Sequence, residues 1–362
     1  MEDASYRFFC RKLWEEKNSY VKKTKRFYDR ETILLTNSDP MMDQSVFYQC
    51  TGVEPNRIVI TRNIEEVLSC IHEHSDASLF LPNHLAERFY PIICSQTNLE
   101  ILSEHLYVGP NSHGYIDLYE KRDNIFRHLP EIFDVYRLLD DDPSREVYLQ
   151  CIVRLVTPYQ FHYPFCDNFQ QYFPDRFVFG EKDVFLDAGM YDGRDTQEFI
   201  RRSNGAFEWI YGFEADPANF EMTCRRLSRT ERVQIFPYAL GETTGACRFL
   251  SSKKSSKRSN PHVAPDGDLE IPSVAGDTLP KIPTFIKMDI EGSEQAALRG
   301  LRQTIAGSAP KLAICIYHWQ SDFWEIPLLI HQLNPSYHLR IWNHSYMRNL
   351  LETVCYAWCD NT

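Results

Sequence analysis

Long hydrophobic runs are missing from this sequence. No apolar stretch approaches the roughly 20 residues that a helix needs to cross a bilayer, so we expect no membrane partner. The opening residues, MEDASYRFFCRKLWEEKNSY, contain no apolar segment of the kind that forms the centre of a secretory signal peptide. These two absences together favour a cytoplasmic location.

An excess of positive charge and a pattern of paired cysteines are also missing. The formal net charge is −11 over 362 residues, which disfavours a nucleic-acid partner, because proteins that bind nucleic acid present basic surfaces. The 11 cysteines are an odd number and include no CxxC pair, so neither a zinc motif nor a disulfide framework is predicted. Free cysteines agree with a reducing, cytoplasmic environment.

A third absence is the glycine fingerprint of dinucleotide-binding proteins, G-x-G-x-x-G. The stretch Val184–Thr196, VFLDAGMYDGRDT, has Gly189 and Gly193 but no such triplet. It begins with an apolar run typical of a buried parallel strand and continues after the glycines with helical spacing. Because glycine lets the backbone come close and a helix N-terminus offers free N–H groups, this segment is typical of a site for a nucleotide-like ligand.

Two carboxylates favour S-adenosylmethionine over NAD as that ligand. Asp187, at the end of the first strand, is expected to be a free carboxylate that would repel a pyrophosphate and suit an ammonium and a sulfonium group. Glu214 ends the next apolar strand, where an acidic residue binds a ribose diol. We therefore expect Asp187 and Gly189 to face the methionine part of the cofactor and Glu214 its ribose. The other predicted cofactor-binding residues are Tyr191, Gly193, Thr196 and Asp289. Tyr238, Ala239 and Leu240, after the third strand, are predicted to form the wall against the adenine.

Strands and helices alternate over the second half of the chain. Seven apolar runs predict strands at Val184–Ala188, Trp209–Glu214, Val233–Leu240, Thr284–Ile290, Lys311–Tyr317, His338–Asn343 and Thr353–Cys359. This alternation predicts a mostly parallel, Rossmann-like and doubly wound α/β sheet. In such a sheet the ligand lies beyond the carboxyl ends of the strands, where Asp187, Glu214, Asp289 and His318 are expected to meet.

The length of the chain allows two domains. A strand–helix–strand pattern over residues 57–81 predicts a smaller α/β domain within residues 1–130, either a plain structural extension or the surface through which a homodimer forms. Residues 131–180 are predicted to be a helical and aromatic connector that covers the site, with Gln171 and Tyr172 nearest to it. Residues 181–362 form the predicted cofactor-binding domain.

Four blocks of this second half resemble the FkbM-type methyltransferases. They are VFLDAGMYDGRDT, then FEADP at Phe213–Pro217, FIKMDIEGSE at Phe285–Glu294 and IYHW at Ile316–Trp319, in that order. The resemblance implies the class I methyltransferase fold, with seven strands, and S-adenosylmethionine as cofactor. It also implies O-methylation of a hydroxyl on a sugar or natural product, with N-methylation of a similar small molecule as the alternative.

The polar residues after the fourth and fifth predicted strands are the catalytic candidates. His318 is predicted to be the general base, because an ordinary histidine pKa of about 6.5 suits proton uptake from a hydroxyl near neutrality. Asp289 and Glu291 are expected to contact substrate or cofactor. The same three side chains could instead bind a divalent metal, although none is predicted. An NAD oxidoreductase and a non-catalytic scaffold are the remaining alternatives.

Two charged segments allow both a functional and a structural interpretation. The run Ser251–Asn260, SSKKSSKRSN, is either a solvated hairpin loop or a flap whose Lys253, Lys254, Lys257 and Arg258 favour an anionic small-molecule acceptor. The run Asp140–Asp142 could bind a metal, but Pro143 favours the start of a helix with Asp142 as its N-cap.

Overall fold

The computed structural model describes part of the chain, and its contacts divide the chain into two compact units. The described residues are 9–11, 13, 30–36, 40–41, 44, 54–61, 63–81, 101–103, 122–156, 171–253, 261–345 and 350–360. One unit comprises residues 1–127, 149–165 and 345–350, and the other comprises 128–148, 166–344 and 351–362. The domain boundaries predicted at residues 130 and 180 stay predictions.

The first unit contains a four-stranded parallel sheet in the order β2-β1-β3-β4. Its elements are β1 (Thr32–Thr36), β2 (Arg57–Ile60), α1 (Ile64–Glu73), β3 (Ser78–Leu81) and β4 (Ile101–Ser103). The central strand β1 is buried along its whole length, and α1 packs its apolar face, Val67, Cys70 and Ile71, against it. The side chain of Asn63 caps α1 by accepting a hydrogen bond from the backbone N–H of Glu66 at 2.9 Å, which satisfies one free donor of the first turn.

The remaining α-helices and strands of the described residues follow in chain order. The helices are α2 (Arg122–Arg127), α3 (Leu129–Leu138), α4 (Asp142–Val156), α5 (Arg194–Arg202), α6 (Pro217–Arg226), α7 (Glu294–Gly300), α8 (Arg302–Ser308) and α9 (Asp322–Leu333). The strands are β5 (Val184–Ala188), β6 (Trp209–Phe213), β7 (Val233–Phe236), β8 (Ala239–Gly241), β9 (Gly245–Leu250), β10 (His262–Val263), β11 (Leu269–Ala275), β12 (Phe285–Met288), β13 (Lys311–Cys315), β14 (His338–Asn343) and β15 (Thr353–Trp358). No helix among the described residues is both long and apolar enough to cross a membrane.

The second unit is built on a seven-stranded sheet in the order β14-β15-β13-β12-β5-β6-β7. The neighbours from β13 to β7 pair in parallel, and β15 is antiparallel to both β13 and β14. The predicted α/β class and the seven strands are confirmed, while the doubly wound arrangement stays a prediction. Because the central strands are parallel, their carboxyl ends lie along one edge of the sheet.

The structure corrects two local predictions. The single strand predicted at Val233–Leu240 is interrupted at Pro237, which has no N–H to continue a ladder, and the following β8 joins a small second sheet in the order β10-β9-β11-β8. The cap of α4 is Asp141 rather than Asp142, since its Oδ1 accepts a hydrogen bond from the backbone N–H of Ser144 at 2.8 Å.

An aromatic cluster fixes the position of the central strands. Phe285 of β12 stacks on Phe185 of β5, with ring centroids 4.8 Å apart, and Phe185 stacks on Phe199 of α5 at 4.6 Å. All three side chains are fully buried. Phe173 and Phe179 meet Phe285 from the segment before β5. Burial of rings of this size is a large part of what stabilises a core.

Replacing Phe285 with alanine should therefore lower the free energy of unfolding by about 3–5 kcal/mol, because the change leaves a cavity between two central strands. Ile282→Ala is the control, since Ile282 lies just before β12 and is 57% exposed, and it should change stability by no more than about 0.5 kcal/mol. Urea denaturation followed by circular dichroism measures both. Similar losses for the two variants would contradict the central role of the cluster.

Candidate active site

Four polar residues that the sequence pointed to lie at the carboxyl edge of the seven-stranded sheet. Asp187 is the penultimate residue of β5, Glu214 follows β6, Asp289 follows β12 and His318 follows β13. Strands β13, β12, β5 and β6 are consecutive neighbours. The parallel arrangement thus places these side chains along one row of strand ends, as predicted.

The turn after β5 requires glycine. Gly189 has a φ of 78°, and a Cβ at this position would lie 1.8 Å from the carbonyl oxygen of Asp289. Its N–H donates to the carbonyl of Phe213 at 2.9 Å, so the turn is fixed against both neighbouring strand ends. Gly193, with a φ of 80°, precedes the first residue of α5. The backbone therefore passes closer to β12 than any other residue would allow.

Asp187 is not the free carboxylate that the sequence predicted. Its Oδ1 lies 3.2 Å from Nζ of Lys287, which is opposite it in the register of β5 and β12, and its Oδ2 accepts a hydrogen bond from Thr196 at 2.7 Å. Lys287 also donates to the carbonyl of Gly189 at 2.6 Å and lies 3.3 Å from Asp195. Burial lowers the pKa of Lys287, but the carboxylates of Asp187 and Asp195 raise it above its ordinary value. The lysine is therefore a buried cation, and Asp187 is its counter-ion.

Glu214 is a buried carboxylate turned toward the glycine turn. It accepts hydrogen bonds from the backbone N–H of Tyr191 at 2.8 Å and of Asp216 at 2.9 Å. Burial raises the pKa of Glu214 to about 7, although the two backbone hydrogen bonds oppose this. Both its protonated and its ionised forms are thus accessible near neutrality, and ligand contacts can select one of them.

Three residues other than glycine adopt left-handed backbone conformations at this edge. They are Tyr172, Tyr191 and Glu291, with φ values of 64°, 52° and 54°. Such conformations cost free energy and are typical of functional sites, where the surrounding structure imposes them. Tyr191 is also an exposed aromatic residue, and its carbonyl accepts a hydrogen bond from Thr223 at 2.9 Å.

Asp289 is held by two phenol groups. Its Oδ2 accepts a hydrogen bond from the hydroxyl of Tyr172, and its Oδ1 accepts one from Tyr317, each at 3.0 Å. The side chain remains 24% exposed. Burial raises the pKa of Asp289, but His318, Lys287 and the two hydroxyls outweigh it, so that the pKa is below its ordinary value. Tyr172 thus lies near the site, as predicted, whereas the side chain of Gln171 donates to Glu352.

His318 lies among three carboxylates. Its Nδ1 is 3.0 Å from Oε1 of Glu294, and its Nε2 is 3.4 Å from oxygens of both Asp289 and Glu291. Burial lowers the pKa of His318, but the three carboxylates raise it to about 10. The imidazole is therefore protonated at neutral pH in this arrangement and has no lone pair for a substrate proton. The general-base prediction assumed an ordinary histidine pKa, which does not hold in this arrangement; the role itself stays a prediction.

Sequence reasoning missed three residues of the site. Glu294 lies in the first turn of α7, where acids are common on the surface, but it is fully buried and accepts a hydrogen bond from the N–H of Ile290 at 2.8 Å. Lys287 and Tyr317 lie in or beside apolar strands. A lysine within the run FIKMD is itself a signal, because a charged residue in a strand buried on both faces needs a partner.

The residues predicted for adenine and for the substrate loop lie in or beside the small sheet. Ala239 and Leu240 belong to β8 and are buried, and their contact with adenine stays a prediction. Lys253 is exposed, and Lys254, Lys257 and Arg258 lie outside the described residues.

The segment before that loop is fixed by two carboxylates. Ser252 donates from its N–H and its hydroxyl to the carboxylate of Asp216, at 2.8 and 3.1 Å. Asp216 also caps α6 through the N–H groups of Ala218 and Asn219. Ser251 is bound in the same two ways to Asp268. The segment after β9 is therefore held by Asp216, which lies two residues after Glu214 in the sequence.

Much of the sequence of the second unit matches a known family. Residues 187–353 match the family model of the methyltransferase FkbM domain. This segment is an FkbM methyltransferase domain. The resemblance seen in the four sequence blocks is thereby confirmed for this segment, and the match supports a methyltransferase. It includes Asp187, Gly189, Glu214, Asp289 and His318.

Comparison of structures agrees with the FkbM assignment. Methyltransferase FkbM from Methylobacillus flagellatus KT superposes with a TM-score of 0.69 at 19% sequence identity, over 97% of this chain and 99% of that one, which shows a shared fold. An rRNA methylase from Streptococcus thermophilus has a TM-score of 0.32 at 13% identity, over 50% of this chain and 89% of that one. A putative rRNA methylase from Clostridium thermocellum has a TM-score of 0.36 at 9% identity, over 54% and 96%. No curated protein matches the chain.

The glycine turn of the FkbM domain gives a matched test. Gly189→Ala should destabilise the protein much more than Gly205→Ala, because both positions have a left-handed φ but a Cβ at Gly205 meets nothing within 4 Å. Gly205→Ala should cost about 1–2 kcal/mol for the backbone conformation alone. Thermal unfolding of the two variants measures the difference. Equal losses would show that the close approach to Asp289 carries no constraint.

Proposed function

We propose that the protein transfers a methyl group from S-adenosylmethionine to a hydroxyl of a small molecule, such as a sugar or another natural product. The observation that supports this most directly is the placement of Glu214, a buried carboxylate at the end of β6 that faces the glycine turn of an FkbM domain. N-methylation of a similar acceptor is the second candidate, because the family assignment does not distinguish the two nucleophiles.

The residues at the sheet edge fit this cofactor. Gly189 brings the backbone of the turn against Asp289, where a Cβ would lie 1.8 Å from the carbonyl oxygen, and the N-terminus of α5 lies at the end of the same turn. Glu214 would accept hydrogen bonds from the two ribose hydroxyls. Asp187 would act on the cofactor only indirectly, because it holds Lys287, which binds the carbonyl of Gly189. S-adenosylmethionine, when bound, supplies a methyl group that is already activated by its sulfonium.

The acceptor would lie against the outer face of Asp289 and Glu291, whose side chains are 24% and 29% exposed. Two carboxylates disfavour an anionic acceptor, which the basic loop had suggested, and suit the hydroxyls of a neutral molecule. Because His318 is already protonated, its part would be to orient these carboxylates rather than to remove the proton. Transfer then depends mainly on how well the acceptor oxygen is positioned.

Calorimetry tests the proposed cofactor. S-adenosylmethionine and S-adenosylhomocysteine should each bind with one site per chain, and NAD should not bind. Incubation with radiolabelled S-adenosylmethionine and a panel of sugars and phenols would then identify acceptors. Binding of NAD without binding of either sulfur compound would overturn the proposal in favour of an oxidoreductase.

The affinity for S-adenosylhomocysteine should depend on pH through Glu214. The ionised carboxylate accepts the ribose hydroxyls better, so binding should lower its pKa from about 7 and affinity should rise from pH 6 to pH 8. Glu214→Gln should remove this rise and weaken binding at pH 8 by about 10-fold or more, since a hydrogen bond to a charged group contributes roughly 1.5–3 kcal/mol.

The matched control for that titration is Glu208→Gln. Glu208 lies just before β6, at the opposite end of that strand, and pairs with Lys281. This variant should keep the affinity and the pH dependence of the native protein. A pH dependence that survives in Glu214→Gln would show that another group is titrating.

A further inference from the structure

The imidazole of His318 has an unusual environment that the proposed methyl transfer does not require. Its side chain is 4% exposed, Nδ1 lies 3.0 Å from Glu294, and Nε2 forms no hydrogen bond within the described part of the chain. Nε2 points between oxygens of Asp289 and Glu291, at 3.4 Å from each. A buried polar nitrogen that faces two carboxylates without bonding to either usually has a further partner.

These separations match the edges of a metal coordination sphere. Zinc bonds to imidazole nitrogen and carboxylate oxygen are about 2.0–2.2 Å long. At tetrahedral angles, two such ligand atoms lie about 3.3–3.6 Å apart. Both distances from Nε2 fall within that range, whereas a direct N–H···O hydrogen bond is shorter, at about 2.9–3.0 Å.

The second layer of contacts also has the form expected around a metal. A histidine that binds a metal through one nitrogen generally presents the other to a carboxylate, which fixes the ring. Nδ1 of His318 is 3.0 Å from Oε1 of Glu294, and Glu294 is itself fully buried and bound by the N–H of Ile290. Asp289 is fixed in the same way by the hydroxyls of Tyr172 and Tyr317.

We propose that His318, Asp289 and Glu291 bind a divalent cation, with Glu294 as the carboxylate that orients the histidine. One imidazole with two carboxylates favours a first-row ion such as Zn²⁺ or Mn²⁺ over Ca²⁺, which takes six to eight oxygen ligands. Asp289 and His318 also belong to a group, with Glu294 rather than Glu291 as its third member, whose ligand atoms all lie within 4.8 Å of one another. One ion cannot bind both nitrogens of a ring, so Glu294, on the Nδ1 side, is assigned the supporting part.

The ion would have a role in catalysis that rests on the proposed function, although its binding does not. With three protein ligands a tetrahedral ion keeps one position open, and an acceptor hydroxyl could occupy it. The ion would lower the pKa of that hydroxyl, whose proton passes to water. The oxygen then bonds to the methyl carbon as the carbon–sulfur bond breaks, which gives a methyl ether and S-adenosylhomocysteine.

Metal titration tests the site directly. The full-length protein, treated with EDTA and dialysed, is titrated with ZnCl₂ in a calorimeter, and Co²⁺ is added separately to record its visible absorption. We expect one ion per chain and the intense absorption of tetrahedral cobalt. Absence of binding at millimolar Zn²⁺ would overturn the proposal and leave His318 as a protonated imidazole among the three carboxylates.

Variants identify the ligands. His318→Ala, Asp289→Asn and Glu291→Gln should each weaken Zn²⁺ binding at least 100-fold, and Glu294→Gln should weaken it about 10–100-fold. Glu291 is partly exposed, so its variant remains informative even if the buried changes impair folding. Glu325→Gln is the control, since Glu325 bonds to Gln295 on the surface, and it should bind like the native protein. Equal binding by all variants would place the ion elsewhere and overturn the proposal.

S-adenosylhomocysteine binding, measured on the same samples, separates this inference from the proposed function. Zinc binding without cofactor binding would sustain the metal site and reject the methyltransferase proposal. Cofactor binding without zinc binding would reject the metal site and sustain the methyltransferase proposal.

Discussion

A single buried cation holds the centre of the candidate site together. Lys287 is 1% exposed and contacts Asp187, Asp195 and the carbonyl of Gly189. Taking an ammonium group out of water is costly, and a buried pair that loses one member is destabilised by about 3–5 kcal/mol. Strands β5 and β12 and the glycine turn therefore have one common arrangement, in which Lys287 contacts all three of its partners. The close approach of Gly189 to Asp289 depends on it.

A second positive group lies further out along the same edge. Lys287 neutralises the carboxylates on the side of β5, and His318 faces those on the side of β12 and β13. Since Lys287 is sealed by its neighbours, it cannot respond to a ligand. The surroundings of His318 remain accessible, because Asp289 and Glu291 are partly exposed. The buried pair of Lys287 and Asp187 thus stabilises the fold, and the group around His318 is available for chemistry.

The sequence predicted the strands of the large sheet well because strands buried on both faces appear as short apolar runs. It also predicted which residues follow those strands, since the parallel arrangement brings strand ends to one edge. It could not predict that Asp187 is paired, because Lys287 lies far along the chain and meets it only through the register of β5 and β12. The pKa of His318 was mispredicted for the same reason. Three carboxylates from the segment 289–294 surround it only after folding.

The double attachment of the segment after β9 has a consequence for how the protein could vary. Asp216 and Asp268 hold Ser252 and Ser251 through both backbone and side chain, and His262 pairs with Leu250 on the other side of the loop. The two ends of the loop are thus held by contacts with the framework. Related proteins could exchange the residues between these ends for sequences of other length or charge while the carboxyl edge of the large sheet stays unchanged.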